Sequence, residues 1–94
     1  MQITIKILED RIDYLNELTN NPKTPRTQID GKLISNVGCY HLDCAYGGYE
    51  LVQMYNTGGG VSEPLSTGHI PKRELYNYIN AFISGIERYR YATL

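Results

Sequence analysis

Four side chains of types that bind metals or act as nucleophile and base are Cys39, His41, Cys44 and, farther along, His69. Zinc sites and thiol catalysis both use these residue types. On a strand, however, side chains alternate, so Cys39 and His41 point one way and Cys44 points the other. Structural zinc also normally takes paired ligands from tight knuckles. We therefore expect no metal site, and we expect both cysteines to serve packing.

Two carboxylates, Asp43 and Glu50, are expected to lie near each other across a hairpin. Such a pair can act as general acid and base, and it is equally common on a solvated sheet face. Neither cysteine has an activating helix terminus beside it, and the chain contains no G-x-S-x-G elbow. We therefore expect a protein that is not an enzyme and needs no cofactor. A small enzyme that uses Cys and His is kept as an alternative, ranked after protein binding and nucleic-acid binding.

Two further segments could contact a ligand. One is the glycine-rich loop formed by Gly58, Gly59 and Gly60. It lacks the Lys-Ser or Lys-Thr that follows in a P-loop, so a flexible contact loop is expected. The other segment contains Lys72 and Arg73, whose positive charge opposes the dipole at the start of the last predicted helix. With His69, they are candidates for binding a phosphate or a partner carboxylate.

The composition places the chain among small globular domains. Its 94 residues make one domain, residues 1–94, and 41% hydrophobic residues allow a packed core. Nine Lys and Arg against ten Asp and Glu give a net charge of -1, which excludes a strongly basic nucleic-acid coat. The apolar runs are too short for a membrane span or a secretory signal, and two cysteines are too few for a disulfide scaffold. These features favour a reduced, cytoplasmic protein.

Both ends of the chain show helical periodicity. Apolar residues recur every three or four positions from Ile5 to Leu18, Thr4 can cap the first turn, and Pro22 follows. This pattern predicts a helix over about residues 5–19. An amphipathic stripe predicts a second helix over about residues 71–88, with fraying after it. The stripe consists of Leu75, Ile79, Phe82 and Ile86.

The middle of the chain is expected to form strands. Asp30-Gly31 fits a two-residue hairpin turn, because both central positions of such a turn have positive φ. A short strand from about residue 26 and a longer one from residue 32, bulged near residues 36–38, are therefore predicted. With a third strand, the order becomes helix, three-stranded antiparallel meander, helix. This is an α+β fold of two layers, in which both helices cover one sheet face.

A second turn at Gly47-Gly48 sets the register of the last two strands and pairs Tyr46 with Tyr49. One face, which we call the tyrosine face and expect in the core, carries Tyr40, Leu42, Cys44, Tyr46, Tyr49, Leu51, Gln53 and Tyr55. The mixed face is left for solvent or a partner and carries Cys39, His41, Asp43, Ala45, Glu50, Val52, Met54 and Asn56. The third strand, residues 49–56, is predicted to be an open edge, and a homodimer is expected through that edge or through the mixed face.

Two resemblances bear on function. The order of elements resembles the double-stranded-RNA-binding domain, whose last helix begins with basic residues, as Lys72 and Arg73 would here. In such a binder, Lys23 and Arg26 would add phosphate contacts. The runs YHLDCAYGGYELVQMYNTGGG and GHIPKRELYNYINAFISGIE look like a pattern of small uncharacterised proteins carried by phages and mobile elements of gut bacteria. That resemblance implies a compact accessory protein, and inhibitors of host defence, such as anti-CRISPR proteins, are common in this group.

We therefore expect a non-enzymatic accessory protein that binds a macromolecule in the host cytosol, in the first place a host protein. The expected contact residues are His41, Asp43, Glu50, Met54, Asn56, Gly58, Gly59, Gly60, His69, Lys72 and Arg73. Nucleic-acid binding is the alternative. No membrane is expected as a partner.

Overall fold

The computed structural model describes residues 1–92, in which five short strands lie between two helices along the chain. The elements are α1 (Ile5–Leu18), β1 (Arg26–Ile29), β2 (Lys32–Ser35), β3 (Tyr40–Ala45), β4 (Gly48–Met54), β5 (Val61–Ser62) and α2 (Lys72–Ala92). The predicted α+β fold class, with a helix, a three-stranded antiparallel sheet and a second helix, is confirmed.

Both helices form where the periodicity places them. The Thr4 hydroxyl accepts a hydrogen bond from the Ile7 N–H at 3.2 Å, which caps α1 as predicted. The end predicted for α2 is wrong, because the helix continues to Ala92 instead of fraying after residue 88. No glycine or proline interrupts residues 86–92. The predicted fraying of residues 93 and 94 lies outside the described residues.

The strands are divided differently from the prediction. Instead of one long strand from residue 32, β2 pairs only with β1, and β3 belongs to a separate sheet of order β3-β4-β5. Gly38 lies at the break with a φ of 95°, and its N–H donates to Met54 O. Met54 N–H donates in turn to Cys39 O, so residues 38 and 39 form a bulge opposite Met54. The chain therefore changes sheets at the predicted bulge.

The predicted register of β3 and β4 is wrong by two residues. Tyr46 (φ 55°) and Gly47 (φ 75°) are the central residues of the turn, and Gly48 already pairs with Ala45 in the ladder. Gly48 is needed for a different reason, because a Cβ there would lie 2.8 Å from the carbonyl carbon of His69. Since the shift is an even number of residues, each side chain that stays in the ladder keeps the face predicted for it.

The main core lies between the tyrosine face and the two helices. Its buried cluster consists of Ile3, Leu8, Ile12, Leu15, Tyr40, Leu51, Leu75, Ile79 and Ile83. Leu42, Phe82 and Ile86 pack against this cluster while keeping some exposure. Tyr55, which was expected in the core, is 60% exposed.

The expectation that the mixed face is left to solvent is wrong for its β4 half. Glu50, Val52 and Met54 are all buried, so Glu50 and Met54 are not surface positions. The loop before α2 covers Glu50 with the His69 side chain. The third strand is also not an open edge, since β4 lies between β3 and β5. The two outer strands of this sheet are β3 and β5.

Candidate functional site

Three ionisable side chains meet on the mixed face near the tip of the β3–β4 hairpin. Asp43 and Glu50 are directly opposite each other in the ladder, as neighbours across the hairpin should be. His69 reaches both from the loop before α2, with Nε2 2.7 Å from Asp43 Oδ2 and Nδ1 3.9 Å from Glu50 Oε1. An ionised carboxylate only accepts hydrogen bonds, so the imidazole Nε2–H donates to Asp43. Asp43 thereby fixes the orientation of the ring.

The backbone holds His69 in this position. Tyr49 and Ile70 exchange two backbone hydrogen bonds, of 2.8 and 3.0 Å, which attach the loop to the outer side of β4. Gly48 allows the His69 carbonyl group to approach the strand closely. The second glycine of the YGGY run is therefore used for packing between segments about twenty residues apart in sequence.

Glu50 is the most unusual member of the cluster. Its side chain is almost completely buried, and within residues 1–92 its Oε2 atom has no hydrogen-bond partner. A buried carboxylate oxygen without a partner lowers the free energy of unfolding, because its hydration is lost without replacement. Such a group is a candidate for a role that needs its charge.

Tyr46 is the most exposed large apolar side chain next to this cluster. It is 96% exposed and lies in the left-handed region with a φ of 55°, which a bulky residue rarely adopts. Its ring meets the His69 ring edge-on, with centroids 5.5 Å apart. We define the tip site as Asp43, Tyr46, Glu50 and His69. Tyr46 was expected on the core face, and the signal against that expectation was its place beside glycine in a turn.

The basic residues predicted to bind an anion are engaged in separate contacts. The Lys72 ammonium lies 5.6 Å from the centroid of the Tyr49 ring. The Arg73 guanidinium instead donates to the Met1 carbonyl oxygen at the other side of the helix start. Lys72 therefore lies against the tyrosine face, and Arg73 connects α2 to the beginning of the chain.

The glycine loop, residues 56–60, lies at the opposite end of β4 from the tip site. Asn56 Oδ1 accepts hydrogen bonds from the N–H groups of Gly58 (3.0 Å) and Gly60 (2.9 Å). The Tyr55 N–H donates to the Gly60 carbonyl at 3.1 Å. Asn56 thus organises the loop as an Asx turn. The predicted contact residues are consequently divided between two ends of the same strand.

His41 lies on the mixed face, two residues before Asp43. Burial lowers its pKa, with the nearby Arg26 charge acting in the same direction, while the Leu42 backbone and Asp43 oppose the shift. Its Nε2 atom is buried and has no hydrogen-bond partner in the described chain. His41 is therefore held in its neutral form near neutral pH, and no contact connects it to His69.

Neither thiol is arranged for nucleophilic chemistry. Burial raises the pKa of the Cys39 thiol, and a weaker loss of hydration raises that of the exposed Cys44, with help from Asp43 and Glu9. A raised pKa reduces the fraction of reactive thiolate. Within residues 1–92, no group of three His, Cys, Asp or Glu side chains is arranged to hold a metal ion.

No family model matches the chain, and no curated protein or solved structure matches it. In the part of the chain that the structure describes, neither helix has the length and apolar character needed to cross a membrane.

Proposed function

We propose that the protein is a non-enzymatic binding module that docks on another protein through the tip site. The observation that carries this proposal is Tyr46, a nearly fully exposed aromatic side chain in a backbone conformation that disfavours it. Strained, exposed positions are typical of contact residues. Tyrosine is also among the residue types that contribute most to protein interfaces.

The surroundings of Tyr46 support the same interpretation. Asp43 orients His69, and His69 supports the tyrosine ring from one side, so the contact groups are held before a partner arrives. A partner surface with an apolar pocket and hydrogen-bonding groups at its rim fits this arrangement.

The resemblance to phage and mobile-element proteins adds the partner class to the proposal. We infer a host protein as the partner, a component of a host defence system in the first place, and action in the host cytosol. Nucleic-acid binding is less well supported, because three of the four basic residues named for it are engaged in contacts within the chain. Lys23 pairs with Glu17 at 3.5 Å, and Lys72 and Arg73 make the unrelated contacts described above.

The test compares capture of host proteins by the full chain and by two tyrosine variants. Tyr46→Asn removes the ring and leaves Asn-Gly, the sequence that hairpin turns of this type prefer. Tyr91→Asn is the matched control, since Tyr91 is 82% exposed on the last turn of α2. We expect a partner that the wild type and Tyr91→Asn retain at about 0.15 M salt and that Tyr46→Asn loses.

Two results would contradict the proposal. Equal retention of every captured protein by Tyr46→Asn and by the wild type would remove the tip site from the interface. Capture that disappears after nuclease treatment, and that falls steeply as salt is raised, would identify nucleic acid as the partner.

A further inference from the structure

The outer edge of β3 is only partly paired. Met54 N–H donates to Cys39 O, so the alternation of an antiparallel ladder turns residues 41, 43 and 45 toward β4. The backbone N–H and C=O groups of Tyr40, Leu42 and Cys44 consequently point away from β4. Within residues 1–92, no other strand pairs with this edge.

The backbone N–H and C=O groups of Tyr40 are already hydrogen-bonded by a side chain. Tyr40 N–H donates to Asn16 Oδ1 at 2.8 Å, and Asn16 Nδ2 donates to Tyr40 O at 2.9 Å. The buried Asn16 side chain thus imitates the peptide group of a neighbouring strand. Among residues 1–92, no side-chain amide pairs in this way with Leu42 or Cys44, so the imitation ends after one residue.

A cleft of about 230 Å³ lies at the Tyr40–Leu42 end of this edge. One wall is formed by Glu9, Ile12 and Asp13 of α1, and the other by Lys23 and Pro25 of the connector to β1; residues 40–42 also line it. Because a helix repeats every 3.6 residues, the two acidic residues share the face of α1 that also presents Asn16. A strand added beyond Tyr40 would therefore lie beside the two carboxylates.

The charges along the cleft are unequal. Glu9 and Asp13 are exposed and form no ion pair within the described chain, and like charges four residues apart lower the stability of a helix. Lys23 on the opposite wall is already paired with Glu17. Because the Arg26 charge also acts on His41 at this wall, side chains of a bound peptide that point to the wall should be neutral. The α1 wall therefore attracts positive charge.

We propose that this cleft binds an extended, basic peptide segment of another protein, which adds to β3 as a further strand. The peptide backbone pairs with Leu42 and Cys44, and its Lys or Arg side chains reach Glu9 and Asp13. A second copy of this chain fits less well, because β3 contains no Lys or Arg and two acidic α1 walls would meet. The inference goes beyond the proposed function, and Tyr46 has no part in it.

The experiment titrates the full chain with a synthetic peptide and follows its backbone amide NMR signals. The probe is acetyl-Thr-Lys-Thr-Lys-Thr-Lys-Thr-amide, which alternates basic and neutral side chains with the period of a strand. We expect the amide signals of Leu42 and Cys44 to move on binding. N-methylation of alternate peptide residues should weaken binding about tenfold, because it removes the backbone donors. A counterpart with Glu in place of Lys should not bind.

Charge variants locate the peptide side chains. Glu9→Gln and Asp13→Asn should each weaken binding by about two- to fivefold, as expected for exposed charge pairs. Asp10→Asn is the matched control, because it removes the same charge from α1 at a residue that pairs with Lys6 and does not line the cleft. Tyr46→Asn should bind the peptide like the wild type, which separates this inference from the proposed function.

Three results would overturn the inference. The first is the absence of shifts at Leu42 and Cys44, or shifts confined to another surface. The second is equal weakening by Asp10→Asn, which would show unspecific attraction to an acidic helix. The third is movement of the same two signals with protein concentration alone, which would make a second copy the occupant.

Discussion

The two ends of β4 both carry polar residues that the sequence singles out, but they differ in how far the chain itself satisfies them. In the glycine loop, Asn56 accepts two backbone hydrogen bonds and the loop closes on Tyr55. At the tip site, Glu50 is buried with an unpartnered oxygen and Tyr46 is strained and exposed. The glycine-rich segment is thus a self-contained turn, whereas the tip site, at the other end of β4, gives up stability.

The largest effect is expected from Gly60→Ala in the glycine loop. A Cβ at this position would lie 2.5 Å from Asn56 Nδ2 and 2.8 Å from a Tyr55 ring atom, so the Asn56 side chain that organises the loop must shift. We expect a loss of about 1–3 kcal/mol in the free energy of unfolding, measured by denaturant titration. Gly58→Ala is the control, since its Cβ would meet only Asn56 Oδ1 at 3.5 Å. Similar losses in both variants would argue against an ordered loop.

The second prediction concerns the side chain that organises the same loop. Asn56→Ala removes the acceptor for the Gly58 and Gly60 N–H groups and should cost about 1–2 kcal/mol. Asn56→Asp keeps an acceptor and should recover most of this loss. Capture of a partner through the tip site should remain unchanged in both variants. A loss of capture in Asn56→Asp would contradict the expectation that the glycine loop takes no part in binding through the tip site.

At the tip site, we expect Glu50→Gln to raise the free energy of unfolding, whereas the loop variants lower it. The amide keeps the shape of the side chain and removes a buried charge whose Oε2 atom has no partner, so stability should rise by about 1 kcal/mol. Asp43→Asn, which weakens the 2.7 Å bond to His69, should instead be destabilising. Both are measured by thermal and denaturant unfolding. Destabilisation by Glu50→Gln would mean that its charge is compensated by His69.

Tyr46→Asn should also stabilise the fold while weakening capture of the partner. Asparagine tolerates the left-handed backbone better than tyrosine, and the loss of the ring contact with His69 offsets part of the gain. We expect a net gain of about 0.5 kcal/mol in a denaturant titration. A clear loss of stability would show that Tyr46 serves the fold and would remove the argument from strain.

Local patterns were sufficient to predict the helices, the first hairpin and the bulge, because each depends on residues close in sequence. The Thr4 cap and the Asp30-Gly31 turn are of this kind. The register of the second hairpin could not be predicted from local patterns. Gly47 and Gly48 offer two turn positions, and the choice depends on the distant His69 backbone. A pattern of alternation assigns faces correctly but does not show what covers them.

In the candidate site, too, contacts between residues of one hairpin could be predicted, and contacts with a distant segment could not. That Asp43 and Glu50 are neighbours follows from the hairpin alone, and the ladder places them opposite each other. The burial of Glu50 and its contact with His69 could not be predicted, because they depend on how the loop before α2 returns to the sheet. The exposure of Tyr46 follows from the corrected register, which moves this residue from a strand into the turn.

The smallest effect is expected from the pH dependence of His41, which lies on the mixed face between the two ends. Its pKa is lowered from the ordinary 6.5 in the folded protein, chiefly by burial. As pH falls below that value, the unfolded chain takes up a proton that the folded protein refuses, so folding stability decreases. Between about pH 7.5 and 5.5, His41→Gln should lose less in melting temperature than the wild type. A smaller loss in the variant would show that the neutral form of His41 in the folded protein lowers stability at acidic pH. An equal loss in both proteins would show that His41 is not held neutral.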